Sequence, residues 1–278
     1  MFEYLKTELN EYHQVVGAPV ETDEIDKFHA EQLNGRWCKV IPVNTIAEED
    51  EDSAFRNIWR TLDRDTELEN AKAIWTYMRY DGFNSQDDLK ASLKTEFGLK
   101  QAQHYLVQVG HQYWGWMGLI NIDELNRKAE IGNIFFSDQL RHTTAATEAI
   151  YLLLNQCFDY GFRKVEWRCD ESNEASVNAA VRFGFLYEGT LRQDRIVKGR
   201  NRNTACFSIL DEEWQKLKLA FEDWLKQDNF NLEREQKIRL EDFMKLYQSQ
   251  DVKIKNNQIE SKKVINIDGF LIELNEIK

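Results

Sequence analysis

The stretch R-H-T-T-A-A-T-E-A (Arg141–Ala149) decides how this chain folds. Behind it Ala146, Ala149, Ile150, Leu153, Leu154, Cys157 and Phe158 recur at helical spacing, which predicts a helix over 144–160 opened by a loop. The front of a helix leaves backbone N–H groups unpaired and carries the positive end of the helix dipole. That pairing of features is suited to holding a pyrophosphate. A strand follows, V-E-W-R-C-D (Val165–Asp170), in which Val165, Trp167 and Cys169 alternate with Glu166, Arg168 and Asp170. After it come N-E-A-S (Asn173–Ser176), a short helix over roughly 174–183, and the pair Gly184-Phe185.

Upstream of the loop, Tyr105, Val107 and Val109 alternate with polar residues, and His111-Gln112 marks a turn. Trp114–Ile122 and Ala129–Phe136 then complete an antiparallel meander. Further strands are expected near 185–197 and 204–210, and a first strand at Trp37–Val43. Phe2, Leu5, Leu9 and Tyr12 predict a short helix over 2–15, broken by Gly17-Ala18-Pro19, with a polar wrapping segment after it. The acids Glu48–Asp52 open a helix whose buried stripe is Phe55, Ile58, Trp59 and Leu62, and at a helix front they are stabilising. Ala71, Ile74, Trp75 and Met78 mark another helix, and Ser85-x-x-Asp88 caps one that carries Leu89, Leu93 and Phe97. In the tail, Trp214, Leu217, Phe221 and Trp224, then Leu240, Phe243, Met244 and Tyr247, predict two amphipathic helices. V-I-N-I-D-G-F-L-I-E-L (Val264–Leu274) reads as a hairpin around an Asp268-Gly269 type I′ turn.

Composition narrows the function. With 278 residues and 42% hydrophobic content the chain can bury one large core with appendages. Its net charge of −12 disfavours nucleic-acid binding and attracts a cationic amine. No apolar run approaches the ~18 residues of a membrane span, and the first residues lack the apolar region of a signal peptide. Cys38, Cys157, Cys169 and Cys206 form no C-x-x-C pair, and the histidines (13, 29, 104, 111, 142) are scattered. The expectation is therefore reduced thiols, no metal site and a cytoplasmic location.

A-E-I-G (129–132), R-H-T-T-A-A-T-E-A (141–149), N-E-A-S (173–176), R-F-G-F-L-Y-E-G-T-L-R (182–192) and D-E-E-W (211–214) occur in an order and spacing that resemble the GNAT N-acetyltransferase superfamily. The nearer likeness is to its branch of ribosomal-protein N-terminal acetyltransferases, over residues 35–214. The resemblance implies an α+β fold, with a mixed, centrally splayed sheet of about six to seven strands flanked by helices. Residues 1–34 would precede the acetyltransferase domain, and 215–278 would add a helical tail ending in the hairpin. The implied activity is direct transfer of an acetyl group from acetyl-CoA to a primary amine of a small molecule or peptide. The alternative is a non-catalytic acyl-CoA-binding module acting as sensor or scaffold.

The resemblance also implies site roles. Arg141, Thr144, Ala145, Ala146 and Thr147 would form the pyrophosphate loop, with Thr144 where relatives have a glycine. Its side chain either crowds the phosphate or donates its hydroxyl to it. The pantetheine arm would lie in a wedge between neighbouring parallel strands, against the backbone of Ile134 and Phe136. Asn173 would orient the arm, or cap a helix, or both. Glu130 is the candidate base and Ser176 the candidate contact to the thiol. The tyrosine that many relatives use as acid is Ala180 here, and the glutamate base of the ribosomal-protein branch is Arg195. Trp114 and Trp116 would wall the acceptor pocket. Arg200, in the basic turn Val197–Thr204 with Lys198 and Arg202, would clamp an acidic group of the substrate. The tail leaves room for a homodimer.

Overall fold

The computed structural model describes residues 6–20, 27–66, 71–99 and 101–249, and in the tail the backbone of 254–255, 258–259, 264–267 and 270–273. A small hairpin, β1 (Thr7–Leu9) and β2 (Val15–Gly17), comes first. Over residues 6–15 it stands in place of the helix expected over 2–15, whose first residues lie outside the described ones. Asn10 turns the chain by accepting N–H bonds from Tyr12 (3.0 Å) and Gln14 (2.9 Å) on its side chain, a local alternative to helical pairing. Leu9, Tyr12 and Val15 stay exposed, so their helical spacing had no core to serve.

The main sheet has eight strands in the order β3-β4-β5-β6-β7-β8-β10-β9. They are β3 (Leu33–Asn34), β4 (Lys39–Pro42), β5 (Gln103–Val109), β6 (Gln112–Asp123), β7 (Lys128–Phe136), β8 (Lys164–Asp170), β9 (Leu186–Val197) and β10 (Arg200–Leu210). All neighbours are antiparallel except β7 and β8. That parallel pair needs a crossover, and α3 (Thr144–Asp159) supplies it.

Apolar groups cover both faces. On one, Ile131, Val165, Trp167 and Phe207 pack with Ile150 and Leu154 of α3 and with Trp214 and Phe221 of α5 (Asp211–Trp224). Leu240, Phe243 and Tyr247 of α6 (Leu240–Ser249) join the same core, so it runs well past residue 214. On the other face α1 (Glu48–Thr66) and α2 (Gln86–Lys94) bring Phe55, Ile58 and Leu89 against Leu106, Trp116 and Phe135. A capping Ser85, which accepts the N–H of Asp88, opens α2 as its sequence predicts. Ala71–Trp75 is one 3-10 turn rather than the expected longer helix. Trp75 is buried against Phe135, Tyr80 and Phe83, and these ring contacts bend the chain away from a helical path. The short helix α4 (Glu174–Arg182) follows β8.

In the tail, Val264–Ile267 pairs antiparallel with Phe270–Glu273, as the alternating sequence requires. The Asp268-Gly269 turn lies outside the described residues. No helix among the described residues is long and apolar enough to cross a membrane.

Candidate active site

The wedge begins where β7 and β8 part. They pair only at Lys128–Lys164, Ala129–Val165 and Glu130–Glu166, although both strands continue beyond. A bulge in β7 marks the parting: between the pairs Gly118–Gly132 and Trp116–Phe135, β7 advances one residue more than β6. Asn133 takes the left-handed conformation (φ 48°) within it. A second bulge, with Asn121 at φ 51°, lies in β6 between the pairs Ile120–Glu130 and Asp123–Lys128. Glu130 therefore sits between two bulges at the closed end of the wedge. Ile134 and Phe136 lie along its open part, both partly buried.

Glu130 is 5% exposed. Asn121 Nδ2 donates to its Oε2 at 2.8 Å, and Arg168 Nε lies 3.9 Å from the same oxygen. Burial pushes its carboxyl above the usual range, against the pull of Asn121, Arg168 and Arg195. Glu166, its neighbour across the parallel pair, is bound by Arg168 (2.8 Å) and Lys164 (3.3 Å). A buried carboxylate with a raised proton affinity and one donor has the character of a general base.

The loop before α3 is built by its own hydrogen bonds. Ser137 O accepts from Leu140 and Arg141, and His142 is exposed with φ 60°. Thr143 caps the helix: its hydroxyl donates to Leu140 O (2.7 Å) and accepts the Ala146 N–H (3.2 Å). The N–H groups of Thr144 and Ala145 meet no acceptor among the described residues. They are the pair free to receive an anion. Arg141 is exposed and pairs with Asp138 at 2.6 Å. Ala145 and Ala146 bury their methyl groups in the core. Thr147 is turned inward, its N–H on Thr143 O and its hydroxyl accepting Arg182 Nη1 at 3.0 Å. Glu148, one residue on, is buried and accepts three backbone N–H bonds, from Arg36 (2.8 Å), Trp37 (2.6 Å) and Cys38 (2.8 Å). That clip fastens the segment before β4 to α3, and sequence reasoning missed it.

On the β8 side, Asn173 is the N-cap of α4, its Oδ1 accepting Ser176 N–H at 3.2 Å. Its Nδ2 has no acceptor among the described residues and remains a donor. Ser176 Oγ accepts from Trp167 Nε1 at 3.1 Å.

A further element was not expected: the segment 75–81 crosses from the β9–β10 hairpin to the bulge. Lys198 donates to Trp75 O (2.7 Å) and pairs with Asp81 (2.6 Å). Tyr77 OH donates to Ser172 O (2.9 Å), and Tyr80 OH to Asn133 Oδ1 (3.0 Å). Asn133 Nδ2 in turn meets Nε2 of the buried His104 at 2.8 Å. Of the basic turn, Lys198 is thus engaged and Arg200 is exposed, while Arg202 is partly buried.

The two tryptophans do not come together, which corrects the expected wall. An extra residue in β6 at Trp114, between the pairs Val107–Gly115 and Gln108–Tyr113, sends them to opposite faces of the sheet. Trp116 is fully buried, stacked on Phe135 at 4.4 Å, and Trp114 packs against the α3 side.

Residues 45–186 match the Acetyltransferase (GNAT) domain family. A GCN5-related N-acetyltransferase from Brucella melitensis is 31% identical, with a TM-score of 0.71 over 80% of this chain and 97% of that one. A probable acetyltransferase (GNAT family) from Chromobacterium violaceum is 33% identical, with a TM-score of 0.59 over 70% of this chain and 99% of that one. The protein described as "Putative ribosomal N-acetyltransferase YdaF" of Bacillus subtilis (strain 168) is 31% identical over 102 residues, 36% of this chain. The match spans about half, 55%, of that curated relative's length. A parallel pair splayed at a bulge, with a free-amide helix front behind it, is thus joined to an extensive match in sequence and structure: the chain belongs to the GNAT acetyltransferase family.

Proposed function

We propose that the protein moves an acetyl group from acetyl-CoA directly to a primary amine of a small molecule or peptide. The observation that carries this reading is the wedge between β7 and β8, with the buried Glu130 at its closed end. The pantetheine arm would run between the strands and pair with the backbone at Ile134 and Phe136. Its pyrophosphate would take the N–H groups of Thr144 and Ala145, with Arg141 sharing its charge between Asp138 and phosphate. Asn173 Nδ2 would donate to the arm while Oδ1 keeps its cap.

The attacking nitrogen must lose a proton to be nucleophilic. Glu130 would take it, directly or through one water, and its raised affinity for protons suits that task. Attack forms the C–N bond, then the C–S bond breaks, and the departing thiolate takes up the second proton that the nitrogen releases on becoming an amide. Ser176 has used one lone pair on Trp167 and would turn its O–H toward that sulfur. Among the described residues no cysteine is hydrogen-bonded to a histidine, and the reading therefore has the amine attack the thioester itself. We take residues 35–214 as the acetyltransferase unit.

Incubation with acetyl-CoA and a panel of amines, with released thiol measured, tests the proposal. Coenzyme A binding without thiol release from any amine would instead support a non-catalytic acyl-CoA-binding module.

A further inference from the structure

The β9–β10 hairpin extends past the end of β8, because Thr204 already stands opposite Asp170. Residues nearer its tip therefore lie beyond the carboxyl end of the parallel pair, where open sheets bind ligands. There Arg195 and Arg202 are direct cross-strand partners. Like charges in that position destabilise a sheet, and a chain with twelve excess negative charges has acids to spare for neutralising them. Asp194 is the acid that both arginines share. Arg195 pairs with its neighbour Asp194 at 3.2 Å, whereas Arg202 makes no ion pair within 4 Å among the described residues, and its buried Nε meets no hydrogen-bond partner there. A buried guanidinium N–H left unpaired is costly unless something else satisfies it.

The charge of Arg79 joins this pair. This residue belongs to the strap 75–81, which Lys198 fastens to the hairpin and Tyr80 fastens to the bulge. Arg79 also meets no carboxylate partner among the described residues. Partial burial and the charges of Arg195 and Arg202 hold its guanidinium below the ordinary range, with Glu130 pulling the other way. Glu130 in turn feels Arg195. Three arginines thus share one electrostatic neighbourhood with two carboxylates, Asp194 and the candidate base, and a positive excess remains.

We infer that Arg79, Arg195 and Arg202 bind a doubly charged oxyanion on the acceptor, a phosphate monoester or a pair of carboxylates, and so present its amine to Glu130. The inference rests on the transferase reading above and adds the substrate class. Guanidinium forks suit such oxygens because each offers two parallel N–H donors. Three forks offer more donors than the two oxygens of a single carboxylate can take up, which favours a phosphate or a pair of carboxylates. Electrostatic attraction at the mouth also offsets the repulsion that an acidic protein exerts on an acidic substrate.

The test uses acceptor pairs that differ only in charge: O-phosphoethanolamine against ethanolamine, and the peptide Ala-Asp-Asp against Ala-Asn-Asn, each with acetyl-CoA and thiol detection. A lower KM for the charged member is expected, and which pair shows it separates phosphate from dicarboxylate. In Arg202→Met and Arg79→Met that KM should rise about tenfold or more, with coenzyme A affinity by calorimetry unchanged. Their melting temperatures should not fall, since each substitution relieves like-charge crowding. Equal use of charged and neutral acceptors overturns the inference. So does a loss of coenzyme A affinity in the variants, which would place the arginines on the cofactor. A second readout is independent of turnover: titration of inorganic phosphate into the coenzyme A complex, following the arginine Nε–H resonances. Movement of these signals in the wild type and its absence in Arg202→Met support the grip, even if no amine releases thiol and the transferase reading fails. Unmoved signals together with no charge preference overturn it.

Discussion

Asn133 Nδ2 donates to Nε2 of His104 at 2.8 Å, and this one bond fixes where the imidazole proton sits. The amide of Asn133 places its oxygen on Tyr80 OH and its nitrogen toward the ring, and an amide nitrogen can only donate. His104 is therefore neutral with its proton on Nδ1, a buried atom without a partner. Burial lowers its pKa from 6.5 to about 4. The unfolded chain then takes up a proton at a higher pH than the folded one. Stability is at its full value above pH 6.5 and falls as the pH drops toward 4, by about 3 kcal/mol across that window. His104→Gln keeps an acceptor for Asn133 but cannot titrate, so urea midpoints at the two ends of the window should converge. An unchanged acid sensitivity in the variant would exclude His104 as its source.

Glu130→Gln should lower kcat about a hundredfold while leaving coenzyme A affinity in place. The wild-type rate should rise with pH as the buried carboxyl ionises, with a midpoint above its ordinary 4.5, and the variant should lose that acid limb. A variant that retains both rate and limb would remove Glu130 from the proton path.

Asn173 offers a cleaner separation of roles than its alanine variant alone. Asn173→Asp preserves the oxygen that caps α4 and deletes the free Nδ2 donor. Its melting temperature should match the wild type, whereas coenzyme A should bind more weakly. Asn173→Ala should lose the affinity and also about 1 kcal/mol of stability. If the aspartate variant binds coenzyme A as well as the wild type, the side chain is a cap and nothing more.

Glu148 accepts N–H bonds from three successive residues, and a Cβ on Gly35 would fall on its carboxylate. Glu148→Ala strands the buried N–H of Cys38 and frees those of Trp37 and Arg36, which water reaches more easily, and should cost roughly 2–3 kcal/mol in urea unfolding. Gly35→Ala should destabilise by displacing the carboxylate from the same donors. A neutral effect of both would mean that the clip contributes nothing to the fold.

Much of this architecture is legible in the chain. The alternation in Val165–Asp170 and the stripe from Ala146 to Phe158 specify β8 and α3, because one face of each must be apolar to reach the core. The tail hairpin follows from the same rule. What the sequence hides is what depends on distant partners. Asn121 and Asn133 adopt positive φ inside strands, which no local pattern announces, and only the ladder mismatch places the bulges. Helical spacing runs from Ala71 to Met78, yet Lys198, Ser172 and Asn133 hold the strap 75–81 open from far along the chain. Trp114 and Trp116 looked like one aromatic wall because an extra residue in the ladder cannot be counted from one strand alone. Arg79 and Arg202 gave no signal as a pair, being 123 positions apart.

Only three ladder pairs join β7 to β8, so the sheet is fastened at one end and open at the other. Along that opening each strand turns toward the other a row of peptide groups with no ladder partner. Peptide groups without a ladder partner are satisfied by water where water reaches them. A chain-like ligand that lies there trades this water for hydrogen bonds to both halves of the sheet and acts as a temporary ninth strand. Occupancy and resistance to unfolding are then a single thermodynamic quantity, and the melting temperature will climb with ligand concentration well before any bond is made or broken.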